Sequence, residues 1–175
     1  MFYLRDLETN EWKEFDKFNT QALQDRKIHI DDDVYIGDGV YIDNGVTIKS
    51  HANISAKAKI GLNAYIGYNA HIGYMAIIGN HSYINNSARI GCWGKVPDNE
   101  RPNTIHITGE RDITYWGEEK IQIGRAVKSI DYWLSGSGAR ILRMFKLSED
   151  QIAKYTAYIT IIKSIHETEM KRKNK

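Results

Sequence analysis

Six histidines supply this chain's groups for moving protons near neutrality: His29, His51, His71, His81, His106 and His166. An imidazole titrates close to pH 7, so it can take up and return a proton without a large penalty in either direction. Cationic and aromatic groups gather in "CWGKVPDNERPNT" (92–104), which carries Trp93, Lys95 and Arg101 together with both prolines of the chain. A guanidinium such as that of Arg101 suits two-pronged contact with phosphate. Other chemistries lack their residues. There is no phosphate-cradling glycine loop, no dinucleotide fingerprint between strand and helix, and no cysteine–histidine spacing for a metal. The single Cys92 excludes an internal disulfide and fits a reducing compartment.

What must position these groups is a repeat. The stretch "IGLNAYIGYNAHIGYMAIIG" (60–79) returns to isoleucine every six residues, and isoleucine holds that slot at 30, 36, 42, 48, 54, 60, 66, 72, 78, 84 and 90. On a helix a period of six smears around three sides, whereas on strands it keeps one side. Two residues before each isoleucine stands a smaller partner: Val34, Val40, Val46, Ala52, Ala58, Ala64, Ala70, Ala76, Ser82, Ala88. Three residues before it stand Asp33, Gly39, Gly45, His51, Lys57, Asn63, Asn69, Met75, His81 and Ser87. That slot is rich in the types that tolerate positive φ. Each hexad therefore reads as a short strand and a sharp corner, and corners of one hand close the chain into a coil.

With its glycine after the isoleucine at Gly37, Gly61, Gly67, Gly73, Gly79 and Gly91, the segment 28–91 resembles the hexapeptide-repeat family. The resemblance implies a left-handed parallel β-helix, a triangular prism of three hexads per coil. It also implies a homotrimer whose sites lie in clefts between prisms. Family members with activity transfer an acyl group from a thioester, an acetyl-CoA type donor, to a sugar, nucleotide-sugar or other small acceptor, with a histidine as general base and no metal. The alternative is a non-catalytic trimer that binds or sequesters a small anionic ligand, such as a nucleotide, in the same clefts. The C-terminal part resembles, more loosely, small phage- or mobile-element-encoded hexapeptide proteins, which implies no defined reaction.

Phase sorts the histidines. His51 and His81 occupy corners and read as turn residues. His29 and His71 precede an isoleucine and point outward. With eighteen residues per coil, His71 stacks between Asn53 and Arg89, with Tyr35 one coil further, about 4.8 Å per step. This column reads as ligand-binding, with His71 as the expected base and His106, at the exit of the proline segment, as the second candidate. Trp93, Lys95 and Arg101 are expected together at one edge, over the cleft. The acidic residue that follows the catalytic histidine in several family members has no counterpart beside either candidate, since the followers are Ile72 and Ile107.

The expected organisation is mainly β: a lid and lead-in segment (1–27), a hexapeptide β-helix (28–124) with an inserted loop (92–104), C-terminal α-helices (125–170) and a basic tail (171–175). Residues 105–124, with apolar pairs spaced by eight, read as one more, stretched coil. "AVKSIDYWL" (126–134) reads as a short helix. "SEDQIAKYTAYITIIKSIHE" opens on a Ser148–Gln151 capping box and carries an apolar stripe through Ile152, Tyr155, Ile159, Ile162 and His166, expected to pack on the prism end or on a neighbouring subunit. Outward Tyr41, Tyr65, Ile77 and Tyr83 fit a surface partly covered by other subunits. A net charge of +2 gives no footprint for nucleic acid or membrane. The N-terminus is charged from its fifth residue and has no apolar leader, so the expectation is a soluble, cytoplasmic protein.

Overall fold

The computed structural model describes residues 1–6, 9–15 and 20–173. They form two compact units, Met1–Thr104 and Ile105–Lys175.

The first unit is the expected parallel β-helix of the left-handed kind. An N-terminal hairpin, β1 (Phe2–Arg5) and β2 (Trp12–Phe15), and a short helix, α1 (Thr20–Asp25), precede it. Twelve short strands follow: β3 (His29–Ile30), β4 (Tyr35–Ile36), β5 (Val40–Ile42), β6 (Thr47–Ile48), β7 (Asn53–Ile54), β8 (Lys59–Ile60), β9 (Tyr65–Ile66), β10 (His71–Ile72), β11 (Ile77–Ile78), β12 (Tyr83–Ile84), β13 (Arg89–Ile90) and β14 (Lys95–Val96). They sort by threes into parallel sheets, β3–β6–β9–β12, β4–β7–β10–β13 and β5–β8–β11–β14. The last is extended by β1, parallel to β5, and by β2, antiparallel to β1. Ladder bonds tie each coil to the next: His71 N–H donates to the Ala88 carbonyl and Gly73 N–H to that of Ile90, both at 2.8 Å.

The interior follows from the sequence slots. Ile42, Ile48, Ile54, Ile66, Ile72 and Ile84 are fully buried, as are Ala52, Ala58, Ala70 and Ala76. Every corner named above has positive φ, from 54° at Asn63 to 70° at Gly45. Lys57, Met75 and Trp93 adopt it too, at a cost of roughly 1 kcal/mol or more apiece. Their N–H groups are satisfied by the preceding coil, at Asp38, Ala56 and Tyr74 respectively.

Glycine after the isoleucine is a matter of space, not of φ. A Cβ on Gly73 would lie 2.6 Å from both the Cys92 nitrogen and the Gly91 carbonyl carbon. Backbone cannot yield as a side-chain tip would. Gly73→Ala is expected to cost about 1–3 kcal/mol, read as a lowered urea midpoint. Gly136→Ala, at a helical position with nothing within 4 Å, should be neutral or stabilise by a few tenths to about 1 kcal/mol.

The coil continues through residues 92–96, where an inserted loop is expected from the sequence. Val96 fills the isoleucine slot and pairs with Ile78. Trp93 and Asn99 are corners with φ of 56° and 60°, and the Glu100 carbonyl still accepts from Tyr83 N–H at 2.9 Å. Pro97 is tolerated because its slot donates to the following coil, and no further coil follows. The repeat stops at Pro102, where the next isoleucine would stand.

The second unit is not a stretched coil either. β15 (Ile105–Ile107), β16 (Ile113–Tyr115), β17 (Lys120–Ile123) and β18 (Ala126–Ser129) form an antiparallel meander. A spacing of eight is here the repeat of a hairpin: Ile105, Ile113 and Ile121 recur because the chain reverses. Residues 126–129 are therefore a strand, not the start of a helix. Then come α2 (Ile130–Leu134), α3 (Gly136–Met144) and α4 (Glu149–Lys173). The capping box is made: Gln151 N–H donates to Ser148 Oγ at 3.3 Å and Ser148 N–H to Gln151 Oε1 at 2.7 Å. The stripe of α4 is used within its own unit. Ile152, Tyr155, Ile159 and Ile162 share one core with Ile113, Tyr115, Ile121, Ile123 and Trp133 of the same unit. The first three residues of the basic tail continue α4, and 174–175 lie outside the described residues. Among the described residues no helix is long and apolar enough to cross a membrane.

Candidate functional site

Parallel pairing carries Tyr35, Asn53, His71 and Arg89 into one column on the β4–β7–β10–β13 sheet: Tyr35 beside Asn53, Asn53 beside His71, His71 beside Arg89. Tyr35 is 61% exposed, and the other three are half-buried. Their isoleucine neighbours anchor the strands from within, so the backbone beneath the column is fixed by core packing. A phenol, an amide, an imidazole and a guanidinium spaced about 4.8 Å apart can hold a polar or anionic small molecule. The imidazole among them can exchange a proton with it.

The three residues expected at one edge are distributed instead around the prism. Trp93 stands at the corner between β13 and β14, 53% exposed, edge-on to Tyr74 with ring centroids 6.0 Å apart. Lys95 lies beside Ile77 on the β5–β8–β11–β14 sheet. Arg101 follows the next corner and covers the β3–β6–β9–β12 sheet, its guanidinium 4.3 Å from the Tyr83 ring centre and its Nε donating to Asn85 Oδ1 at 2.9 Å. The cause is the uninterrupted coil: residues six apart sit on successive faces, so Lys95 and Arg101 do not share a face.

Arg101 completes a ladder that sequence reasoning did not describe. Tyr65 and Tyr83 stack at 4.4 Å and 7°, and Arg101 lies over Tyr83. Burial, helped by the neighbouring Tyr83, pushes the Tyr65 phenol up. Lys49 Nζ reaches Asp31 Oδ2 at 2.7 Å, and the bond holds the Asp31 carboxyl below its usual range. The signal was present as a spacing of eighteen along Thr47, Tyr65, Tyr83 and Arg101.

The other histidines sort by place. His51 sits at its corner edge-on to Tyr68, with centroids 5.3 Å apart, and His81 is a corner at φ 55°. His166 Nδ1 lies 3.0 Å from the hydroxyl of Tyr115, a phenol that burial pushes up. That contact ties α4 to the meander and is structural. His106 is in the second unit. Its Nδ1 lies 3.1 Å from Thr114 Oγ1 and its Nε2 lies 3.6 Å from Asp112 Oδ2. Gly109 N–H donates to the other Asp112 oxygen at 3.3 Å. A carboxylate thus faces His106 across the β15–β16 hairpin, which could be foreseen only once these residues were read as a hairpin. Among the described residues no three metal-binding side chains converge. Compared with protein-family models and with curated proteins, the chain matches none.

Proposed function

We propose that the protein is an acyltransferase of the hexapeptide-repeat type. It would pass an acyl group from an acetyl-CoA type donor to a sugar, nucleotide-sugar or other small acceptor, in clefts between three copies in the cytoplasm. The observation that carries this reading is the Tyr35–Asn53–His71–Arg89 column, which sets an imidazole between an amide and a guanidinium on an accessible sheet. His71 takes the proton of the acceptor hydroxyl or amine as that group attacks the thioester carbonyl. The carbonyl carbon gains the new bond, the thiolate leaves, and the proton returns to it. Asn53 and Arg89 hold polar and anionic parts of the ligands.

Thiol release from acetyl-CoA across a panel of amino and hydroxy sugars tests the reaction, and light scattering during gel filtration tests the assembly. The expected results are acceptor-dependent thiol release and copies associated in multiples of three. No consumption of any donor removes the enzyme reading, and a monomer at micromolar concentration removes the shared cleft.

A second reading is a trimer that binds a small anion such as a nucleotide without turnover. It is favoured by the identity of the groups in register with His71, an amide and a guanidinium, whereas the carboxylate-faced histidine is His106. A thermal-shift screen with acyl-CoAs, nucleotide sugars and signalling nucleotides separates the two. A ligand at 100 times its Kd contributes about 2.7 kcal/mol, and a nucleotide hit without turnover selects the binder.

A further inference from the structure

The outer side of α4 is unlike that of an ordinary surface helix, which presents charges to water. Between Lys154 and Glu167 the only formally charged residue is Lys163, and its Nζ is turned to Asp131 at 2.7 Å. Ala157, Ile161, Ser164 and Ile165 are exposed, Ile161 at 59% and Ile165 at 36%. Two threonines add to this strip, because their hydroxyls turn back onto the helix's own carbonyls: Thr160 to Thr156 and Thr168 to Ser164, both at 2.8 Å. Such bonds leave the methyl groups outward. The opposite side of α4 is already used by the core of the unit, so this strip is a second apolar side.

We infer that the strip docks against the same strip of a second copy, α4 on α4, antiparallel, about a two-fold axis through Ile161. Ile161 is the middle residue of Glu149–Lys173, so an antiparallel partner centred there overlaps the whole helix, about 36 Å at 1.5 Å per residue. Asp150 and Arg172 each lie eleven residues from Ile161. Eleven residues is roughly three full turns, so both stand on the Ile161 side. The two-fold sets Asp150 against Arg172 of the partner subunit, twice. Neither residue has an ion-pair partner among the described residues of its own chain. Ala157 and Ile165, each four residues from the centre, meet as small against large, and Lys154 meets the partner's Thr168. No two like charges oppose one another along the seam. A two-fold contact must be self-complementary in this way.

The contact is independent of whether the prisms form trimers, and the test keeps the two apart. Light scattering on the full chain should give twice the mass of the Ile161→Glu variant, whatever that variant's own mass is. The substituted residue is exposed on the single chain, so circular dichroism should stay close to wild type. Asp150→Arg should weaken association at least tenfold, and Arg172→Asp added to it should restore it. Equal masses for wild type and Ile161→Glu overturn the inference. So does a charge swap that fails to restore association, since it denies the antiparallel register.

Discussion

Ile72→Asp is expected to yield no folded protein. Ile72 is completely buried, stacked in register between Ile54 and Ile90 inside the coil. The substitution removes an aliphatic worth about 2–5 kcal/mol in such a place and leaves a carboxylate with no cation inside the stack. An unpaired buried charge costs several kcal/mol more. A domain holds only about 5–15 kcal/mol in total, so the sum exceeds what the fold can absorb. Circular dichroism should show loss of the β signal and soluble expression should collapse. The same substitution at Tyr65, half-buried and outward, should lose little beyond its stack on Tyr83, about 1 kcal/mol. Equal damage at both positions would mean that the inside and outside of the coil are exchanged.

One residue earlier on the same strand, His71→Ala should do the reverse. The side chain faces out and is half-buried, so the stability lost is expected to be far smaller than for Ile72→Asp, about 1 kcal/mol. Under the enzyme reading, thiol release should fall by about 10²–10⁴-fold, the usual worth of a positioned general base, while assembly is unchanged. Under the binding reading there is no turnover to lose, and affinity should weaken by about 0.5–3 kcal/mol. Activity that survives loss of His71 and falls with His106→Ala would transfer the base to the imidazole that Asp112 faces.

The prism was legible because its rule is local and redundant. Isoleucine, small residue and corner repeat in fixed phase, and each slot implies the others, so the outward column could be named before its geometry was seen. Legibility failed where one residue type carried two meanings. Pro97 reads as a loop residue, yet in the last coil it leaves no partner unsatisfied, and Val96 and Asn99 had kept the repeat in phase around it. Spacing by eight along Ile105, Ile113 and Ile121 fits a stretched coil and a meander equally well. Only long-range antiparallel pairing decides between them. The place of α4 was hidden for the same reason, since its stripe said that it packs but not on what. His71 could be assigned a column from arithmetic. The Asp112 carboxylate near His106 could not, because that proximity depends on a chain reversal that no single slot specifies.

The stacking of three hexads per coil fixes a grammar of insertion and deletion for the chain. Loss of eighteen residues from the middle of the prism shortens it by one storey and leaves every later outward side chain above its former column. Loss of six, for example 55–60, is invisible to the interior, since isoleucine still meets isoleucine and each corner still falls on a corner residue. Outside, everything downstream turns by a third of a revolution, so Asn53 and Tyr35 stay where they were while His71 and Arg89 move to the neighbouring face. Two length changes of similar consequence for folding therefore have opposite consequences for the surface: one edits the height of the column, the other cuts it in two.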